Sequence, residues 1–300
     1  MKMNPVKKLY RRLPIIRELI QIRDSLFRLH EWKKNVEFAK LELALLTNTR
    51  YNDPQRLLKY GFQSNSQNLE DGMTWEIFRR IGTTNRIFAE IGVGDGYENN
   101  TAMFLSHGWT GFWFDGNPAM RETIRRRPEL SDKTIKATTA FLNRENVARY
   151  FIESNIPKEF DLLSIDVDQN TYYLWEGLSE WKPRLVVVEY NAAIPANQDW
   201  KVRYDPEMTW DGTQNFGASL KAFENLGKSY GYSLVGCDIV GVNAFFVRDD
   251  LVDATKFCGP FCAENHYEPP RYAFGSCRRT HRISLLDRMP GPDAKLHSNI

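Results

Sequence analysis

Cysteine is scarce in this chain. Four residues in 300, Cys237, Cys258, Cys262 and Cys277, are too few for a disulfide framework at this length, so free thiols are expected. Long apolar runs are lacking as well: the longest, such as "RLVVVEY" at 184–190, are strand-sized and far below the roughly 20 residues of a spanning helix. Neither sign of charge dominates, since 40 Lys and Arg against 38 Asp and Glu leave a net +2. No Arg/Lys-rich stretch is interleaved with aromatics as a base-stacking groove requires, so nucleic acid is not an expected partner. The basic N-terminus has its apolar segments broken by Arg and Glu and no small-residue cleavage site after them. It does not read as a signal peptide, and a cytoplasmic location is expected. What is present is an ordinary apolar fraction over a length that suits one globular domain with an extension.

Charge is unevenly placed. Residues 1–40 hold eleven Lys and Arg against four acids. From Pro14, well placed as a first helical residue, Ile16, Leu19, Ile20, Leu26 and Phe27 recur at helical spacing, and a second apolar set runs from Val36 to Leu46. This predicts one long or two shorter amphipathic helices. Such a stripe packs on the domain or on a second copy of the chain, or docks peripherally on the anionic inner face of a membrane; the contact is assigned to residues 1–46. The turn residues of "NTRYNDPQ" (48–55) precede a new segment near Ser66. The expected organisation is a basic helical extension over 1–65, a main domain over 66–252 and a tail over 253–300 packed on it. In that tail Cys258, Cys262, His266, Cys277 and His281 are donors suited to zinc, but they lack the tight C-x-x-C knuckle, and packing thiols are the expectation.

Between residues 70 and 250 helical and strand patterns alternate. "EIFRRIG" reads as a helix ending at Gly82, "IFAEIG" as a strand, and strand-like "GFWFDG", "TIKATTA", "FDLLSID" and "RLVVVEYN" follow, each separated by a helical stretch. "YSLVGCD" and "VNAFFVRDD" form a closing pair. The pattern predicts an α/β fold: a Rossmann-like, mostly parallel sheet with helices on both faces and an antiparallel edge, plus the N-terminal helical extension.

The first strand runs into "EIGVGDGYENN" (90–100), with Gly92, Gly94 and Gly96 at alternate positions and Glu90 just ahead. The dinucleotide fingerprint is G-x-G-x-x-G; here the third glycine comes one place early and Tyr97 stands where glycine belongs. A carboxylate ahead of the first glycine also opposes an anionic pyrophosphate. S-adenosyl-L-methionine reverses that sign, because its amino-acid end carries an ammonium and its sulfur is a cation. Glu90 is the expected partner of that end. Asp115, about 20 residues past the glycines in "GFWFDGNP", sits where a carboxylate holds ribose hydroxyls.

"EIGVGDG", "WFDGNP" and "LLSIDVD" resemble the class I S-adenosylmethionine-dependent methyltransferases, and more particularly the FkbM-like branch with its "IDVEG"-like segment at the fourth strand. The resemblance covers about residues 66–250 and makes 66–252 a methyltransferase domain. It implies that Glu90, Gly92, Gly94 and Gly96 line the methionine end and Asp115 the ribose. Gln169 stands where the branch has glycine, and "IKATTA" lacks an acid beside adenine, so Thr139 and Ala140, with Phe141, are positional candidates there. The acceptor implied is a sugar hydroxyl of a glycan or glycoconjugate, in polysaccharide biosynthesis. A different class, an NAD-dependent oxidoreductase, lacks a Tyr-x-x-x-Lys pair after strand four. A third reading is a non-catalytic cofactor- or glycan-binding protein of a surface-polysaccharide assembly.

An alcohol oxygen needs a base or a Lewis acid to become nucleophilic. Asp166 and Asp168 end the fourth strand, and Glu189 and Asn191 end the fifth. The candidates are Asp166, Asp168, Glu189 and His107 as catalytic groups; Asp166, Asp168 and Glu189 as ligands of Mg²⁺ or another divalent cation; and Asn191, Tyr204, Trp210 and Asp211 as substrate contacts. The last three lie in "YDPEMTWDGTQNFGASL", whose aromatics and acids suit a sugar ring or local packing.

Overall fold

The computed structural model describes residues 14–126 and 134–272, and the chain divides into two compact units at Leu45/Leu46. The first unit is essentially helix α1, Pro14–Leu46, one unbroken helix of 33 residues. The boundary differs from the expected 1–65: Leu57, Leu58 and Phe62 are buried, and Arg80 donates to the carbonyl of Gln55 at 2.7 Å, so residues 46–65 belong to the second unit. "NTRYNDPQ" lies within that unit and holds a short helix, Thr49–Asn52, capped by Asn48.

The second unit is built as the alternation predicts. Helix α2 (Glu70–Ile81) ends on Gly82 at φ 73. There follow β1 (Ile87–Ile91), α3 (Ala102–Leu105), β2 (Thr110–Asp115), α4 (Ala119–Arg126), β3 (Ile135–Thr139) and α5 (Val147–Glu153). Then come β4 (Leu162–Ile165), α6 (Thr171–Gly177), β5 (Leu185–Glu189), α7 (Leu220–Tyr230), β6 (Tyr232–Cys237) and β7 (Asn243–Arg248). Ser219 caps α7 by accepting from the Ala222 N–H, and Gly231 closes it in the left-handed conformation.

The seven strands lie in the order β3-β2-β1-β4-β5-β7-β6. The first five are parallel and β7 is antiparallel to both neighbours. β4 and β5 are almost wholly apolar, as strands covered on both faces must be. Strand order runs outward in both directions from β1 and β4, and right-handed crossovers therefore put helices on opposite faces. The carboxyl ends of β1 and β4 meet where that order reverses, which is where such sheets open a binding crevice.

The tail continues this unit as far as it is described. Phe257, Ala263, His266 and Glu268 are buried, and Tyr190 Oη donates to the Glu268 carbonyl at 2.7 Å. Burial pushes the His266 imidazole down to about 3, so it is neutral. Cys277 and His281 lie outside the described residues. Among the described residues no helix is long and apolar enough to cross a membrane.

Candidate functional site

A cleft of about 450 Å³ opens at the carboxyl ends of β1, β2 and β4. Gly92 and Gly94 supply bare backbone on one side, with φ 91 and 63. Gly92 approaches the next strand so closely that a Cβ there would stand 1.6 Å from the Asp166 carbonyl oxygen, whereas a Cβ on Gly94 would meet nothing. Asp115, at the end of β2, is fixed by the backbone N–H groups of Gly94 and Asn117, each at 2.6 Å. The wall continues through Gly116, Ala140, Phe141 and Leu142, so of the positions after β3 Ala140 and Phe141 reach the cleft and Thr139 does not.

The floor is acidic. Asp166 and Asp168 line the cleft. β4 and β5 pair Ile165 with Val188, which sets Asp166 beside Glu189 one residue further on. Burial pushes Asp166 up to about 7, the Asp168 charge adds to this, and a hydrogen bond from Glu189 opposes it. Burial and the same neighbouring charges push Glu189 well above the usual carboxylate range. Both acids are raised by burial and by neighbouring carboxylate charge, and the two titrate as a unit. Asp168 is raised by burial, its N–H donates to Glu189 Oε2 at 3.0 Å, and its φ of 58 is a strained backbone position for a residue with a side chain.

Several sequence expectations are corrected. Glu90 faces away from the cleft, fully buried, where it accepts the Asn100 N–H at 2.9 Å and the Thr101 hydroxyl at 2.5 Å; it ties the glycine loop to the start of α3. Gly96 is absent from the wall and packs against Trp113. His107 stands before β2 and hence at the opposite, amino-terminal edge of the parallel sheet, against Trp75 and the Met103 carbonyl. Asn191 is buried, and its amide donates to the carbonyls of Gln214 and Phe216. Tyr204 packs at a tilt against the Tyr173 ring and lies under the Arg144 guanidinium, and Asp211 caps Thr213; neither lines the cleft. Trp210 does line it and is half exposed. The cation site is not formed either: among the described residues no group of three His, Cys, Asp or Glu side chains is arranged to hold a metal ion. Asp166 and Glu189 turn their oxygens toward each other, and Glu189 also receives the Asp168 N–H, so the three do not converge on one point.

Besides Ile91, Gly116, Asn117, Leu142 and Val167, three further residues missed in the sequence complete the cleft. Met208 and Thr209 adjoin Trp210 on its outer lip. Asn170 lines the cleft and donates to the Asp205 carbonyl at 3.0 Å, while its Oδ1 is buried with no protein partner. Among the described residues no Lys, Arg or His lines this wall.

The strand order and the reversed β7 make this a Rossmann-like sheet of the class I methyltransferase type. No protein-family model and no curated protein matches the sequence. Solved structures with a similar chain path include an O-methyltransferase from Bacillus cereus in complex with SAH (15% identity, 72% of this chain and 91% of that one, TM-score 0.40). Others are an O-methyltransferase family protein from Burkholderia thailandensis (12%, 60% and 58%, 0.35) and the spermidine synthase from Thermotoga maritima (14%, 66% and 69%, 0.35). This chain thus spans 58% of the length of the Burkholderia protein.

Proposed function

We propose that the protein is a methyltransferase that uses S-adenosyl-L-methionine to methylate an alcohol oxygen, of the FkbM-like kind its "SIDVD" segment resembles, with a sugar hydroxyl of a glycan or glycoconjugate as acceptor. The observation that carries the reading is the sign of the cleft: Asp115, Asp166 and Asp168 line it and, among the described residues, no cationic side chain does. Such a wall repels a pyrophosphate, which counts against NAD, and favours a ligand bearing a sulfonium and an ammonium. Gly92 and Gly94 let the backbone approach that ligand, Asp115 is placed for ribose hydroxyls, and Ala140 to Leu142 offer an apolar wall for a purine.

When bound, the cofactor supplies an electrophilic methyl group. The chain's own task is to orient the acceptor and remove its proton. Asp166, pushed up to about 7 by burial and the Asp168 charge and set beside Glu189, is the base. Met208 and Trp210, on the outer lip beside Asn170, cover the apolar face of the ring.

Two measurements test this. Calorimetry should show binding of S-adenosylhomocysteine and none of NAD, and Asp115→Ala should weaken that binding by about 1–3 kcal/mol, the worth of a charge-assisted hydrogen bond. NAD binding with no response to the sulfur compound would overturn the reading. The second is the pH profile of methyl transfer, with methyl-labelled cofactor and a panel of free sugars. A base works ionised, so the rate should be low well below pH 7, rise through an apparent value near 7 and level above it. A rate that falls over the same interval would remove Asp166 from the role.

A further inference from the structure

We infer that helix α1 is one strand of a parallel two-stranded coiled coil between two copies of this chain. The argument starts from spacing. Ile15, Leu19, Ile22, Leu26 and Leu29 recur in steps of four, three, four and three, and each is more than half exposed. A straight helix repeats every 3.6 residues, so a 3.5-residue stripe stays on one line only if two helices supercoil. Written as heptads, position d is Ile15, Ile22, Leu29, Val36 and Leu43, apolar five times in succession over nearly the whole helix. Position a is Leu19 and Leu26, then Lys33 and Lys40.

Charge selects the partner and the direction. In a parallel pair each g residue faces the e residue five places on in the other copy. Glu18 is at g and Arg23 at e, so the pair forms twice by symmetry. An antiparallel arrangement sets g against g and e against e and forfeits both contacts. The lysines at position a limit the number of strands: in a dimer their stems lie along the seam with the ammonium in water, whereas more strands would enclose them. Arg17, Asp24, Arg28 and Glu31 fall on the outer positions, of mixed sign. That mixture, solvated at Arg17, Asp24 and Arg28, is not the cationic face of a helix lying on an anionic bilayer.

The test uses the full chain. Sedimentation equilibrium at micromolar concentration should give twice 35.0 kDa. Leu19→Asp with Leu26→Asp should give the single-chain mass with S-adenosylhomocysteine binding unchanged, while Phe27→Ser, off the seam, should leave the dimer intact. Arg23→Glu should loosen the dimer, and adding Glu18→Arg should restore it. Ile22→Cys should form a link between copies under oxidation, beyond any seen with the native thiols, since only the parallel register opposes residue 22 to itself. A wild-type monomer, or a dimer indifferent to the Leu→Asp pair, would sink the proposal. So would a monomer that floats with phosphatidylglycerol vesicles and stops doing so in that variant. Absence of the engineered cross-link in Ile22→Cys would overturn the parallel arrangement.

Discussion

Replacing Asp166 by Asn should cut methyl transfer by roughly 10²–10⁴-fold, the usual worth of a positioned base, with S-adenosylhomocysteine affinity kept within a few-fold. Asn preserves the size of the side chain and its place against β5 but takes no proton. Glu189→Gln is the informative companion. If the pair shares one proton and Glu189 carries it, an amide mimics the protonated acid and most of the rate should survive. Equal collapse of both variants would mean that the pair acts as two anions. Full activity in both Asp166→Asn and Asp168→Asn would reduce these acids to anchors of the strand ends.

Gly92→Ala should be the most damaging small substitution in the protein. Two penalties coincide there. The residue sits at φ 91, which a side chain adopts at a cost of about 1–3 kcal/mol, and its Cβ would stand 1.6 Å from the Asp166 carbonyl, a backbone atom that β4 holds in register with β1. Relief requires parting the two central strands at the crevice. The expected result is a fall in unfolding free energy beyond about 4 kcal/mol, or failure to fold, read from urea midpoints. Gly94→Ala is the control, for it shares the positive φ but has open space. It should stay folded, and its added methyl should weaken S-adenosylhomocysteine binding. Equal stability of the two would refute the close-approach argument.

The order of strands was legible because apolar runs of strand length alternate with helical stretches, and each run from "IFAEIG" to "VNAFFVRDD" became a strand. The position of Asp115 was legible for the same reason, as the end of a recognisable strand. His107 was a readable error, because a residue preceding a parallel strand must lie at the edge opposite the crevice. Glu90 was not readable. Its partners, Asn100 and Thr101, lie ten and eleven residues later in an irregular turn, and no periodicity announces that a strand-end acid will be consumed by backbone. Asn191 and Tyr204 failed likewise, through hydrogen bonds and ring contacts made across 23 to 59 residues of chain. Asn170 gave no signal at all; only its unpartnered oxygen in the folded chain marks it.

The all-anionic wall has a consequence for turnover in the proposed reaction. It attracts a ligand only while that ligand is positive, and methyl transfer from a sulfonium leaves a neutral thioether. One of the attractions that loaded the cleft is then switched off by the chemistry itself, and the proton released from the alcohol passes to the acid floor and lowers its negative charge further. Spent cofactor should accordingly leave faster than fresh cofactor, and added salt should weaken the fresh form more than the spent one. Discharge of the product is thus built into the electrostatics of the cleft.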